Sequence, residues 1–406
     1  MDENADHAAS IYASMSGTDS FSVISSNPSI FTALPQPNSL VLTIFHRPPS
    51  LSPPAQIIPI TTLSALTESF LPSLFTSTLK PSSIQTRFLR LHSPQILEVR
   101  IPLPSPTPSL DSIRHLEALT AFERNHNVEI VVQLNTPLRS HPRLCLFDMD
   151  GTLIHQETID ELARTVGRYE DVSAITARAM NGELEFKDAL RARVAVLKGV
   201  EETIWQRLEA ILKIREGAKD LCRGLMRLGA EVGIVSGGFH PMVDWLAREL
   251  GIQHRFANRL SSALTITDFG PKLSTDSTGC LTGSLVPDAP IVDSHQKLSL
   301  LHSLRVSASP LPIDPPIFDT LAPQTSAASP FPPRFRPIPA SQTITVGDGA
   351  NDLPMLRAAG LGVAFNAKPM VQQQAPARLN GSSLVEVLYL LGFDEGEVVW
   401  LTREEE

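Results

Sequence analysis

Two aspartates one residue apart, Asp148 and Asp150, close a short apolar run (LCLF, 144–147) and are followed by Gly151 and Thr152. A carboxylate such as Asp148 can attack phosphorus and form an aspartyl-phosphate, which divides one difficult displacement into two easier ones. That chemistry also needs an acid for the departing alkoxide and a base for the hydrolytic water. Asp150, two residues along an extended chain, returns to the same side and can serve both steps. Two further acids, Asp348 and Asp352, stand with Asn351 in the run GDGAND at 347–352. An oxygen-rich site with few carboxylates suits Mg2+, which keeps several waters and binds substrate phosphate. The expected ligands are Asp148, Asp348 and the backbone carbonyl of Asp150, with Asp352 in support. Ser236 and Gly237, in EVGIVSGG, can offer a hydroxyl and backbone N–H groups to a phosphoryl group, and Asn351 is expected on the substrate side. So many acids beside a phosphate need a cation. Lys297, in IVDSHQKLSLL, is the candidate, with Lys272 as its local rival.

These clusters act together only if something brings them together, and each follows a predicted strand. Strands are expected at 144–147, 231–235 and 343–346, and helices at 216–228, 241–250 and after 352. Strands alternating with helices indicate an α/β fold with a doubly wound parallel sheet, whose ligands bind beyond the carboxyl ends of the strands. Helical stretches at 158–181, 186–198 and 202–214 fall between the first two strands and predict an inserted helical cap over about 158–215. The catalytic domain is read as 139–406.

Upstream, an apolar run at 40–45 precedes a helix near 61–79, extended segments at 87–92 and 96–103, a helix at 111–124 and a strand at 128–133. That order, βαββαβ, predicts a ferredoxin-like α+β domain over 39–138, regulatory, dimerising or merely structural. Of the 34 prolines, 15 lie between Pro28 and Pro108 and 10 between Pro310 and Pro339. The second cluster excludes helix and central strand and is read as an insertion at 306–340 that bulges from the surface. Residues 1–38 are expected to be disordered.

The 406 residues are 42 % hydrophobic and 19 % charged, enough to bury a sizeable core, and the net charge is −9. That balance argues against nucleic acid or an anionic membrane as the main partner, although a small anionic substrate remains compatible with it. No run approaches the ~18 apolar residues of a membrane span, and the acidic N-terminus is not a signal peptide. The three cysteines, Cys145, Cys222 and Cys280, match no zinc or redox spacing and are expected as buried, reduced thiols. The cytoplasm is the default compartment, and a homodimer is compatible with the sequence.

Several longer runs resemble the phosphoserine phosphatases of the haloacid-dehalogenase-like superfamily. FDMDGTLIHQETIDELA is similar to that family's first motif, IVSGGF to its second, IVDSHQK to its lysine segment and VGDGANDLPMLRAAGLGVAFNAKP to its last. The resemblance covers about residue 143 to the C-terminus, interrupted by the proline-rich insertion. It implies Asp148 as nucleophile, Asp150 as general acid/base, phosphate binding by Ser236 and Gly237, and a site completed by Lys297 and Asp348. It also implies that Glu157 meets the ammonium of phosphoserine, that Arg193 meets its carboxylate, and that Met180 and Phe186 line the pocket. One acid, one bidentate cation and a dry wall suit an amino-acid zwitterion. The reaction implied is the last step of serine biosynthesis. Another small phosphomonoester, a phospho-acceptor switch and a binding module stay open as alternatives.

Overall fold

The computed structural model describes residues 39–47, 58–73, 83–92, 94–103, 109–136, 139–262, 279–287, 289–306 and 337–404. The expected disorder at 1–38, the rival Lys272 and nearly all of the proline-rich insertion lie outside the described residues. The chain divides into two compact units, one running to Pro137 with Gly392–Glu395 and the other formed by the remainder.

In the first unit, strands β1 (Ser39–His46), β2 (Gln85–Arg90), β3 (Ile96–Pro102) and β4 (Val128–Leu134) form an antiparallel sheet in the order β2-β3-β1-β4. Alternate residues of each strand point to one face. Leu40, Leu42 and Ile44 therefore join Leu97, Val99, Val128 and Ile130 against Leu66, Phe70, Leu119 and Phe122 of the helices. With helices after β1 and after β3, this is the ferredoxin-like arrangement. The single helix expected at 111–124 is broken into Leu110–Arg114 and Glu117–His126. Leu116 adopts an extended backbone between them, and Asn127, in the left-handed region at φ 51°, ends the second.

The outer edge of β4 is blocked by side chains from these two helices. Glu123 accepts from the N–H of Ile130 at 2.8 Å, and Arg114 donates to the carbonyl of Val132 at 3.3 Å. A bare edge invites pairing with another chain, and here Ile130 N–H and Val132 O already have partners.

In the second unit, β5 (Leu144–Phe147), β6 (Glu231–Phe239), β7 (His254–Asn258), β10 (Thr343–Gly347), β11 (Leu361–Phe365) and β12 (Ala377–Leu379) form a parallel sheet in the order β12-β11-β10-β5-β6-β7. A short hairpin, β8 (Leu260–Ser262) and β9 (Leu281–Leu285), lies outside it. In the six-stranded sheet the central strand β5 (LCLF) and β11 (LGVAF) are apolar and buried along their length, as burial between helices requires. Chain order runs outward from β5 through β6 and β7, then returns to β10 on the other side. β5 and β10 therefore flank the point where strand order reverses, and β6 lies beside them. Strand β6 runs on through Ser236 and Gly238 to Phe239, so the SGG run is the end of a strand rather than a loop before the helix His240–Leu250.

The cap helices are Thr158–Thr165, Tyr169–Met180, Phe186–Val196 and Ile204–Glu209. The stretch expected as one helix over 158–181 breaks at 166–168, where Gly167 takes φ 70°. The stretch 202–214 is helical only over Ile204–Glu209, because its end pairs as an extended chain: Ile214 bridges Ile154. The chain thus leaves and re-enters the core through one two-stranded ribbon, with His155 N–H donating to Lys213 O and Arg215 N–H to Leu153 O. Cys145 and Cys222 are buried free thiols, whereas Cys280 is only half-buried. Among the described residues no helix is long and apolar enough to cross a membrane.

The edge of β4 gives a direct test. Removing Glu123 strips a charge-assisted bond from Ile130 N–H, an interaction worth about 1.5–3 kcal/mol. Glu123→Ala should lower resistance to urea and let the freed edge associate, so that size-exclusion chromatography shows larger species as concentration rises. Unchanged elution and stability would mean that the edge is protected in another way.

Candidate active site

The site lies at the carboxyl ends of β5, β6 and β10. Asp148 follows β5 and continues the ladder, its N–H donating to Val346 O on β10 at 2.9 Å. Lys297, on the helix Ser294–Val306, is fully buried. Its Nζ donates to Asp148 Oδ1 at 2.6 Å and to Asp352 Oδ1 at 2.7 Å. The other oxygen of Asp352 accepts from Gly349 N–H at 3.0 Å, so this carboxylate is engaged on both sides. Burial alone would lower the Lys297 ammonium, but the charges of Asp148 and Asp352 outweigh it and hold the group above its ordinary range. Lys297 is therefore charged. Asp148 is pushed well up by burial and by the charge of Asp352, against the pull of Lys297.

Asp348 follows β10 and accepts from Thr152 Oγ1 at 2.9 Å. Burial pushes its carboxyl up to about 6, against that hydrogen bond. Gly151 has φ 72°, and a Cβ there would stand 2.5 Å from Asp348 Oδ2, so both the turn and the approach require glycine. A Cβ on Gly347 would likewise meet the Asp352 carboxylate at 2.5 Å.

Asp150 points toward β6. Its Oδ1 accepts from Thr158 N–H at 2.9 Å and from the Thr158 hydroxyl, and its Oδ2 from Ser236 Oγ at 3.4 Å. Ser236 Oγ in turn accepts from Gly238 N–H at 2.9 Å. Burial raises the Asp150 carboxyl, and the Thr158 and Ser236 bonds oppose the rise. Gly237 is braced by Asn258, which donates to its carbonyl and accepts from Val292 N–H, both at 2.8 Å.

The cap contributes the remaining groups. Glu157 immediately precedes the helix Thr158–Thr165, and burial followed by the charges of Asp150, Asp348 and Asp160 pushes its carboxyl up to about 7. Arg193 opposes that rise and is itself lowered by burial, against the charges of Glu157, Asp160 and Asp150. The Phe186 ring lies 3.5 Å from where a Cβ on Gly237 would stand, which places the cap over the strand end. Met180 ends the helix Tyr169–Met180, and its side chain lies outside the described residues. Asn351 sits half-buried in the loop after β10, against Gly349.

Three groups in this geometry carry no sequence signal strong enough to single them out. Thr158 reads as an ordinary first residue of a helix, and Asn258 as the polar end of a short strand. Arg215 reads as a surface charge, yet it donates to Gly151 O at 2.6 Å and Thr152 O at 2.8 Å and fixes the loop after Asp148.

One carboxylate oxygen from each of Asp148, Asp348 and Asp352 lies within 4.8 Å of the others. This donor set is all oxygen, and the carboxyls of Asp148 and Asp348 are raised first by burial and then by the charge of Asp352, so that a cation beside them would favour their ionised forms. Both features fit a hard divalent cation. Asp348 and Asp148 have oxygens to offer it, whereas Asp352 is already committed to Lys297 and Gly349.

The chain matches the haloacid dehalogenase-like hydrolases over residues 142–273 and again over 334–380. It is 33 % identical over 282 residues to the phosphoserine phosphatase of Saccharomyces cerevisiae, covering 69 % of this chain and 77 % of that protein. The chain belongs to the phosphoserine phosphatase family of haloacid dehalogenase-like hydrolases. It is 38 % identical over 271 residues to the phosphoserine phosphatase of Streptomyces coelicolor, covering 67 % of this chain but only 55 % of the length of that relative. A probable phosphoserine phosphatase of Vibrio cholerae superposes with a TM-score of 0.53 at 25 % identity, covering 91 % of this chain and 89 % of its own. Membership of this family makes the chain an enzyme, a hydrolase whose six-stranded parallel sheet and extra antiparallel N-terminal sheet agree with the fold expected from its sequence.

The crowded carboxyls make stability depend on pH and cation together. A carboxyl raised in the fold contributes stability below its unfolded pKa, and that contribution is lost as pH rises through the folded value. For Asp348 and Glu157 the loss runs from about pH 4 to the folded values of about 6 and about 7. A divalent cation at ~100-fold excess over its Kd should raise Tm by about 5 °C or more at pH 7.5, and much less at pH 5. Thermal unfolding with cation and with chelator at both pH values measures this, and equal shifts at the two pH values would contradict it.

Proposed function

We propose that this chain hydrolyses O-phosphoserine to serine and phosphate through an aspartyl-phosphate on Asp148, with Mg2+ as cofactor. What supports the reading above all is Lys297, buried and bonded at 2.6 Å to one oxygen of Asp148, beside an Asp150 carboxylate held by Thr158 and Ser236. With Oδ1 of Asp148 tied to the ammonium, the other oxygen attacks phosphorus. The new bond forms as the bond from phosphorus to the serine oxygen breaks, and Asp150 gives its proton to that oxygen. Water then attacks the phosphorus of the aspartyl-phosphate, Asp150 takes up its proton, and Asp148 is released. Mg2+ held by Asp148, Asp348 and the backbone carbonyl of Asp150, with Asp352 in support, would offset the charge between carboxylates and phosphoryl group. Ser236, Gly237 and Asn351 bind the phosphoryl oxygens, and Lys297 balances the charge that gathers there.

On the cap side, Glu157 takes the ammonium of the substrate and Arg193 its carboxylate, with Phe186 and Met180 as the apolar wall. The substrate's ammonium suits Glu157 well, because a cation beside it relieves the charges of Asp150, Asp348 and Asp160. The reaction would complete serine biosynthesis in the cytoplasm.

The nucleophile is tested by Asp148→Asn, which keeps shape and removes the attacking charge. Phosphate release from phosphoserine with Mg2+ should fall by at least ~10³-fold and wild-type activity should vanish with chelator. Retention of a tenth of the wild-type kcat would exclude Asp148 as nucleophile.

Specificity is tested at Arg193, whose two parallel donors lysine cannot reproduce. Arg193→Lys should cost roughly 2–4 kcal/mol in kcat/KM for phosphoserine, by comparison with breaking a buried charge pair. Phosphoethanolamine, which lacks the carboxylate, should change less than about threefold, since nothing there meets Arg193. Equal losses on both substrates would assign Arg193 to the fold or to phosphate and remove the case for phosphoserine.

A further inference from the structure

The carboxylate of Asp150 is held by an element other than its own. Thr158, the first residue of the helix Thr158–Thr165, gives Oδ1 both its N–H at 2.9 Å and its hydroxyl. The other oxygen, Oδ2, receives the longer contact from Ser236 Oγ at 3.4 Å. It also lies 2.7 Å from the point where a Cβ on Gly238 would stand, so it faces the end of β6. Thr158 is 1 % exposed, and bulk water does not take over when its hydroxyl is removed.

A carboxyl that delivers a proton must carry it on the oxygen that faces the acceptor. The Thr158 N–H cannot turn away and the Thr158 hydroxyl donates to the same oxygen, so a proton on Oδ1 would oppose two donors, and loss of the hydroxyl leaves only one to exclude it. A proton on Oδ2 meets no such conflict and points to the strand end where Ser236 and Gly237 receive the phosphoryl group. We propose that Thr158 is a positioning residue for Asp150, selecting Oδ2 as the oxygen that hands its proton to the departing alkoxide. This rests on the function proposed above. In the transfer step the bond from Asp148 to phosphorus forms, the bond from phosphorus to the alkoxide oxygen breaks, and the proton on Asp150 Oδ2 moves to that oxygen.

The same clamp links recognition to chemistry. The N–H that holds Asp150 belongs to the peptide group joining Glu157 to Thr158. A substrate ammonium drawn to Glu157 therefore bears on the peptide that orients the acid.

Leaving groups separate positioning from mere support of the fold. An alkoxide such as that of serine needs a proton as it departs, whereas p-nitrophenolate does not. With enzyme in excess over substrate, release of serine or of p-nitrophenol reports the transfer step alone. Thr158→Val, which keeps the shape and loses the hydroxyl, should slow serine release about tenfold or more and p-nitrophenol release less than about threefold, within the range general acids contribute. Thr158→Ser should restore the wild-type ratio of the two rates to within about threefold. Because both rates come from one preparation, their ratio does not depend on how much of the variant folds, and Thr158→Ala supplies a second hydroxyl-free side chain. Equal slowing of both leaving groups, no slowing of either, or a ratio in Thr158→Ser as altered as in Thr158→Val would overturn the proposal. Wild-type enzyme that released p-nitrophenol but no serine would sink the substrate reading alone. The same ratio, taken with whichever alkyl phosphate the enzyme does cleave, would still decide the role of Thr158.

Discussion

A single buried ammonium holds the catalytic centre together. Lys297 has no exposed surface, and it contacts Asp148 and Asp352, which come from the ends of two neighbouring strands. A buried charge persists only when paired and hydrogen-bonded, so the lysine and the two aspartates require one another. Much of the local architecture serves this requirement. The parallel order of β5 and β10 brings the aspartates together, the helix Ser294–Val306 brings the lysine, and Gly347 leaves space for the Asp352 carboxylate. One ammonium cannot balance every acid gathered there. The residual negative charge suits the strand ends, where oxygens of Asp148, Asp348 and Asp352 lie within 4.8 Å of one another, to a divalent cation.

The cap is more than a lid over this centre. Its first helix supplies Thr158 to Asp150, and the residue before that helix, Glu157, shares its electrostatic environment with Asp150 and Asp348. Asp150 is thus held between the sheet, through Ser236, and the cap, through Thr158. Its orientation reports the placement of both.

The candidate site residues are legible where they follow apolar runs, because a strand end in a parallel sheet is a predictable place. Asp148, Ser236 and Asp348 were placed on that ground, and Lys297 on the need for charge compensation. The βαββαβ order of the N-terminal unit was readable from alternation and spacing. Helix ends were less so: 111–124 and 158–181 each hold a local break, at Leu116 and near Gly167, that periodicity passes over. The bracing residues escaped notice for a different reason. Thr158, Asn258 and Arg215 act through backbone groups distant in sequence, and a carbonyl such as Gly151 O or Gly237 O leaves no mark in the one-letter text.

The ribbon formed by Ile154 and Ile214 makes the cap a detour whose two ends lie side by side. To the sheet, about sixty residues of cap amount to one side excursion on the crossover from β5 to β6, whose own helix is Ala218–Arg227. A segment with adjacent ends can be lengthened, shortened or exchanged without moving the strands that flank it. The remaining ties, such as Gly199 to Leu281 on the hairpin β8–β9, are local contacts that a replacement could supply afresh. The covalent detour is therefore compact, but the cap is not a free attachment, because Thr158 at its start reaches Asp150 at the strand end. A cap exchanged on this scaffold would leave the strands where they are and would still have to return a donor to Asp150.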